Sequence, residues 1–560
     1  MRRLLLLLST ALVISCSSQP ESGDKKDSGS AQKKGGAEVS DKIEASGKAA
    51  EKPVDGGALI NPTLADASGL IYNITSDSAS HEVSNYIYNG LVEYDKNLEV
   101  KPDLAESWDV SEDQKSITFH LRKDVTWHDG EPFNADDVEF TYKFMIDNNT
   151  PTSYDADYRL VKQFEKLDNY TVRVSYDKPY APALISWGMA VLPEHLLKGE
   201  DPAKSPLMRE PVGTGPYVFE EWKTGESITL VANDEYFEGR PHIDRLIFRV
   251  IPDIATTFME LLNGAIDIMG LTPLQWTKQT DNAKFKEQYN KYTYLASSYT
   301  YIGYNLNNPM FKDKRVRQAL THATPKQKIV DGILFGLGRP ATGPYKPGTI
   351  WHNPDVKTYP YDVEQAKALL AEAGWSDSDG DGIIDKDGKP FKFQLMTNQG
   401  NSVRIKIAET IQQHWKELGI DVEIRVLEWA TFINEYIDNQ KFDAVVMGWN
   451  IIHDPDIYDV WHSKNCAPKK LNFVCFQNEE ADELIEQGRH ELNPEKRKEY
   501  YHRFQEILAE EQPYTFLYIP DALVALSKRF KNVEPAPAGI AYNVEEWYIP
   551  AAEQKYHFTK

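Results

Sequence analysis

The sequence predicts a mixed α/β body with more than one β-sheet, and three observations carry that prediction. From about residue 58 onward, short runs rich in β-branched and aromatic residues alternate with amphipathic helical stretches. No internal repeat of about 20 to 50 residues is present, which argues against a solenoid. The composition is globular, with 41% hydrophobic and 26% charged residues in a chain of 560, and not disordered, collagen-like or multi-span. At roughly 150 residues per domain, this length allows about three or four lobes.

The elements follow in order. Residues 116–121 (SITFHL) alternate polar and apolar side chains and read as a strand; residues 227–232 (SITLVA) begin with the same alternation. Residues 246–251 (LIFRVI) form a further strand, a turn follows at Pro252-Asp253, and a helix runs from about 254 to 263, capped by Gly264. A short strand lies at 266–269. Residues 362–373 place Val363, Ala366, Leu369 and Leu370 at helical spacing, and Gly374 ends that helix. Residues 391–397 are strand-like, 405–418 are a helix stopped by Gly419, and 422–427 are again a strand. The mostly apolar run 442–448 (FDAVVMG) suits a buried strand. Helices recur at 482–491 and 494–511.

The N-terminus reads as an address. Arg2 and Arg3 precede an apolar run at 4–14, too short for a spanning helix of about 20 residues. The run ends in Val13-Ile14-Ser15-Cys16, which resembles a bacterial lipobox. That resemblance implies a signal peptide over 1–15 and lipid on Cys16; an ordinary signal peptide containing a Cys is the alternative. No other stretch is long and apolar enough to span a bilayer. Residues 16–55 are mostly small, polar and charged, and no aromatic precedes Tyr72. Such a segment buries too little apolar surface to offset its ordering entropy and is expected to be a flexible tether.

The charge narrows the function classes. With 62 Lys+Arg against 85 Asp+Glu, the formal net charge is −23. Binding nucleic acid requires clustered Lys and Arg, and attachment to anionic lipid requires a basic face, so neither partner is expected. The 12 Trp, 30 Tyr and 22 Phe supply either a large core or a ring-lined cleft; composition does not choose. Nucleophile elbows, HExxH, Walker loops and dinucleotide fingerprints are not found in the context they need. His352, His453 and His462 form no compact pair, which speaks against metal cargo. Two cysteines remain in the body, Cys466 and Cys475. In an exported chain a disulfide is the simplest reading of such a pair; two free thiols or half a metal site are the alternatives.

One acidic loop has metal-ligand spacing. Residues 377–385 (DSDGDGIID) follow DxDxDGxxD. In a calcium loop, Asp377, Asp379 and Asp381 would supply side-chain oxygens, Ile383 its carbonyl, and Asp385 the ninth position. The twelfth position is Gly388 where a bidentate Glu is usual, so binding is expected to be weak or incomplete. The alternative is a tight acidic turn. One structural calcium ion is therefore the only cofactor candidate.

Several motifs occur together and in order: Pro102-Asp103-Leu104-Ala105-Glu106-Ser107-Trp108, Trp127-His128-Asp129-Gly130, Phe133-Asn134-Ala135-Asp136-Asp137-Val138, Pro211-Val212-Gly213-Thr214-Gly215-Pro216-Tyr217, Arg315-Val316-Arg317-Gln318-Ala319-Leu320, and 443–449 with Asp454-Pro455-Asp456. Together they resemble family 5 extracellular solute-binding proteins, the peptide/nickel-type receptors of ABC importers, over about residues 56–550. The resemblance implies a bilobal periplasmic-binding-protein type II fold, a Venus flytrap, with an extra α/β domain. Lobe I would be 56–98, 207–301 and 520–560, the extra domain 99–206, and lobe II 302–519. Ligand would sit between the lobes, which close on it by a hinge.

By the same resemblance, Ser76-Asp77-Ser78 would offer backbone hydrogen bonds to an extended peptide. Trp449, heading the loop after a strand at 443–448, and Trp429 would line the cleft. Asn450 and Ile451 would follow Trp449 in the cleft loop. The position that holds an amine-anchoring Asp in relatives falls here on Ile451 or Ile452, and Asp454 is weighed as a shifted anchor against a plain turn acid. Arg404 would hold a ligand carboxylate, and Tyr154 and Tyr518 would stand near the cleft. The implied function is a lipid-anchored receptor in the cell envelope, facing periplasm or exterior. It would be a monomer that captures peptides, oligopeptides first, and hands them to permease subunits. An exported hydrolase of peptides or glycans, or a solute sensor with non-peptide cargo, is the alternative.

Overall fold

The computed structural model describes residues 52–451 and 453–558. The expected signal peptide, Cys16, most of the tether and Ile452 lie outside them. No helix among the described residues is long and apolar enough to cross a membrane.

Two lobes and an added sheet make up the body. In the first lobe, Ala58–Thr63 pairs in parallel with Arg245–Val250, and Ser227–Ala232 and Tyr217–Lys223 complete a four-stranded sheet. The larger sheet orders Ile268–Gly270, Tyr514–Ser527, Ser298–Tyr304, Ala444–Asn450, Lys392–Asn398 and Asp421–Leu427, with Tyr289–Leu295 and Gly338–Pro340 also on Tyr514–Ser527. The expected strands and helices over 227–263, 362–373, 391–427 and 482–511 are present within a few residues of their ends.

The long strand Tyr514–Ser527 serves both lobes. Its first part pairs with Ser298–Tyr304, and its second part, from Asp521, pairs with Tyr289–Leu295. The chain thus passes from one lobe to the other at 296–297 and near Pro520. The two crossings touch, with the Ala296 N–H donating to the Pro520 carbonyl at 2.9 Å. Pro520 has no N–H to give the ladder, which makes it a natural break between two halves of one strand.

Residues 99–206 add an antiparallel sheet of Ala105–Val110, Ser116–Leu121, Thr171–Tyr176 and Val161–Asp168. This segment has its own sheet but shares its core with the first lobe: Phe119, Trp127 and Trp187 belong to one buried cluster with Tyr217, Leu246 and Phe248. The motif glycines pack two stretches of the first lobe together beside this segment, and His128 of the segment bonds to them. A Cβ on Gly213 would lie 1.9 Å from the Ile87 carbonyl oxygen, and one on Gly215 2.5 Å from that of Tyr86. Only glycine allows that approach. The His128 ring bonds the Gly215 carbonyl at 3.0 Å, and the Gly213 N–H reaches its Nδ1 at 3.2 Å. The second lobe has separate cores on the two faces of its sheet, one around Trp415 and Phe393, the other around Trp461 and Phe504.

Candidate functional site

A cleft of about 570 Å³ opens where the two lobes and the added segment meet. All eleven residues expected at a ligand site line it: Ser76, Asp77, Ser78, Tyr154, Arg404, Trp429, Trp449, Asn450, Ile451, Asp454 and Tyr518.

The first lobe contributes the loop into the helix Ser78–Ser84. Asp77 caps that helix: its carboxylate accepts from the Ser80 N–H at 3.0 Å, from the Ser80 hydroxyl at 2.6 Å and from the Ser68 hydroxyl. Its side chain is therefore filled, and the loop's backbone is what remains for a ligand.

The second lobe contributes the strand Ala444–Asn450. It runs further than expected, so Trp449 and Asn450 are strand residues and not loop residues. Pairing with Ser298–Tyr304 holds them there, with Tyr299 opposite Trp449 and Ser298 opposite Asn450. The Trp449 ring stacks on Phe473 at 5.8 Å, and its Nε1 donates to the Tyr514 hydroxyl at 3.2 Å. Phe473 lies in a loop closed by the bond between Cys466 and Cys475, whose Cα atoms are 4.6 Å apart. The disulfide thus pins the support beneath Trp449. Ile451 continues along the wall, its N–H bonded to the Ser297 carbonyl at 2.8 Å.

Arg404 sits one turn into the helix Ser402–Lys416, which Asn401 caps. Its Nη1 donates to Asn398 Oδ1 at 2.9 Å, and Nη2 lies 2.9 Å from where a Cβ on Gly448 would stand. Gly448 therefore clears space for the guanidinium. No carboxylate pairs with Arg404 among the described residues, and burial pulls its pKa below the ordinary value. A ligand carboxylate would complete it. Tyr518, buried on the long strand, stands close enough to act on Arg404 electrostatically. Trp429 begins the short helix Trp429–Thr431, and its Nε1 is enclosed without a hydrogen-bond partner among the described residues.

Asp454 has the simpler of its two expected roles. Arg497 grips it with both Nη atoms at 2.7 and 2.8 Å, and Asp454 Oδ1 accepts from the Asp456 N–H at 2.9 Å. It is a turn acid with its charge already matched, which leaves it a poor amine anchor.

Pattern reading missed Glu82, Asp438, Tyr458 and Asp459, all at the cleft. They lie in no motif, and among 85 acids nothing local sets these apart.

The acidic loop lies outside the cleft. Carboxylate oxygens of Asp377, Asp379 and Asp381 come within 4.8 Å of one another, all exposed. Asp385 does not join them: its Oδ2 accepts from the Ser378 N–H at 2.9 Å and hydroxyl at 2.7 Å. Ile383 donates its N–H to Asp381 Oδ1 at 2.8 Å.

The model of bacterial extracellular solute-binding proteins, family 5 Middle, matches residues 99–470. The chain belongs to that family. It is 36% identical over 559 residues to the oligopeptide-binding protein AppA of Bacillus subtilis, covering 97% of this chain and 98% of that one. The structure of that AppA in complex with a nonapeptide superposes with a TM-score of 0.84 at 35% identity, covering 89% of this chain and all of the other. Heme-binding protein A of Haemophilus influenzae is 32% identical over 508 residues, 85% of this chain and 89% of its own. NikZ from Campylobacter jejuni in complex with Ni(L-His) superposes with a TM-score of 0.79 at 30% identity, covering 88% and 99%. The fold is therefore the bilobal α/β fold of solute-binding proteins, and the family is one of receptors.

Proposed function

We propose that this protein is the lipid-anchored receptor of an ABC importer. It captures peptides, oligopeptides first, between its two lobes and presents them to permease subunits from the outer face of a membrane. The observation that carries the reading is the interlobe cleft. Its volume of about 570 Å³ lies in the range of about 300–1,000 Å³ usual for bound small molecules. Rings and strand edges line it, and an unpaired guanidinium faces into it. That lining suits an extended peptide, held by its backbone and carboxylate and tolerant of varied side chains. The end-to-end likeness to an oligopeptide-binding protein supports the same cargo. Asp454, Asp157 and Asp456 are each held by an arginine, so they serve as structural ion pairs of the cleft wall, which suits a receptor.

The test is native mass spectrometry of residues 56–560, purified gently and then stripped of ligand. A ladder of masses matching short peptides is expected, and Trp449→Ala, which removes the ring backed by Phe473, should empty it. A single non-peptide mass, or none after challenge with a peptide library, would overturn the peptide assignment. The calcium reading of the acidic loop is a second proposal: three of its five expected ligands converge, which supports a weak structural site.

A further inference from the structure

The second lobe carries another cavity, of about 390 Å³, that shares no lining residue with the interlobe cleft. It opens between the start of the helix Lys326–Gly332, the strand Gly338–Pro340, residues 357–361 and the first part of the strand Tyr514–Ser527. Its charge is opposite to that of the whole chain. The chain has a net charge of −23, yet three lysines line this cavity, Lys326, Lys328 and Lys357, and no acid does.

Packing places both the walls and the lysines. Phe516 and Ala341, both buried, form an apolar floor. The Tyr359 hydroxyl donates to the Ala509 carbonyl at 2.8 Å and so fixes its ring. Lys357 Nζ lies 4.9 Å from the Tyr359 ring centre, and Lys328 Nζ lies 4.9 Å from that of Tyr361. Among the described residues, Lys326 Nζ has one long hydrogen bond, 3.5 Å to the Ala341 carbonyl. No carboxylate pairs with Lys326 or Lys328 among the described residues. Glu510 stands 3.8 Å from Lys357 but is closer to Lys314, at 3.0 Å.

An enclosed ammonium without an anion is costly. Burial accordingly lowers Lys326 to about 8 from an ordinary 10.5. A bound anion would offset that cost through charge-assisted bonds. Two features select the kind of anion. Lysines meet it as separate point charges and not as planar forks, which suits a phosphoryl group better than a carboxylate. The floor and the tyrosine faces are apolar, and the volume falls in the range of about 300–1,000 Å³ usual for small-molecule sites. A flat ring can therefore lie against them while the phosphate meets the lysines.

We propose that this cavity is a second ligand site, for a phosphate monoester carried on a flat ring and of nucleoside monophosphate size, with Lys326, Lys328 and Lys357 around the phosphate and Tyr359 beside the ring. The site is separate from the peptide cleft and does not depend on what that cleft carries.

The test is isothermal titration calorimetry of the full chain with adenosine monophosphate, adenosine and inorganic phosphate as probes. The monophosphate is expected to bind about tenfold or more tightly than either of its parts. Lys326→Met and Lys357→Met keep an apolar stem and remove one charge. Each should weaken the monophosphate by about tenfold, the loss of one charge-assisted bond, in protein whose circular dichroism matches the wild type. A second measurement needs no variant. Acetylation with acetic anhydride, read by peptide mass mapping, should show Lys326, Lys328 and Lys357 protected by the monophosphate and not by adenosine. No binding of the monophosphate at millimolar concentration would overturn the site. So would undiminished binding in both folded Met variants, or acetylation of the three lysines unchanged by saturating monophosphate. Adenosine binding as tightly as the monophosphate would overturn the role of the phosphate, and inorganic phosphate doing so would overturn that of the ring.

Discussion

Glu82 shows how one cleft residue makes stability depend on pH. It lies on the helix Ser78–Ser84, and Asn61 Nδ2 donates to its Oε1 at 2.7 Å. Burial pushes its carboxyl up to about 7 from an ordinary 4.5. The folded chain thus holds a proton that the unfolded chain releases. Below pH 4.5 both states are protonated and Glu82 costs nothing. From 4.5 to about 7 the folded state loses ground, and above that the penalty is constant. Glu82→Gln keeps an acceptor for Asn61 and removes the charge. The variant should match wild type near pH 4.5 and exceed it by about 1–3 kcal/mol at pH 8 in urea unfolding. Identical midpoints at pH 8 would refute this account. Asp454 makes the same point about single residues. Its place before Pro455 is legible in the sequence, whereas its neutralisation by Arg497, 43 positions away, is not.

At the scale of elements, local pattern was a good guide where a strand or helix carries its own period and stops. Gly374 and Gly419 end their helices with φ of 86° and 75°, as their positions suggest. Asp362 and Asn478 cap helix starts through their side chains. The strand Ala444–Asn450 outran its apolar pattern because pairing with Ser298–Tyr304, not hydrophobicity, decides its end. The acidic loop is half legible in the same way. The spacing brings Asp377, Asp379 and Asp381 together, but a hydrogen bond to Ser378 turns Asp385 away. Calcium titration of the metal-free protein should therefore give a dissociation constant of about 10⁻⁴–10⁻³ M, abolished by Asp379→Asn. Micromolar affinity, or no binding at 10 mM (roughly ten times that upper limit), would reject the three-acid site.

The whole molecule is organised around two chain crossings and one cleft. The second lobe also reaches the added segment directly. Arg489 holds Asp157, His490 bonds the Pro179 carbonyl at 2.9 Å, and Lys470 bonds the Thr152 carbonyl at 3.0 Å. A hinge motion at 296–297 and Pro520 that parted the lobes would break these contacts. Small-angle scattering of the stripped protein should show a larger radius of gyration than the same sample with peptide added. An unchanged radius, with binding confirmed calorimetrically, would show a cleft that fills without lobe motion.

The amino-acid order alone determined the α/β class, the ends of most elements, the motif joints and the family. All of these rest on short-range periodicity, capping chemistry or ordered local motifs. It also placed eleven residues at one cleft through that family likeness. Tertiary structure decided which charges the cleft leaves unmatched. Asp157 meets Arg489 across 332 positions, while Asp459 Oδ1 meets no donor among the described residues. Charge balance in a buried site depends on which distant side chains arrive beside each acid. No local pattern carries that information, because the partners come from elements that the fold alone makes neighbours.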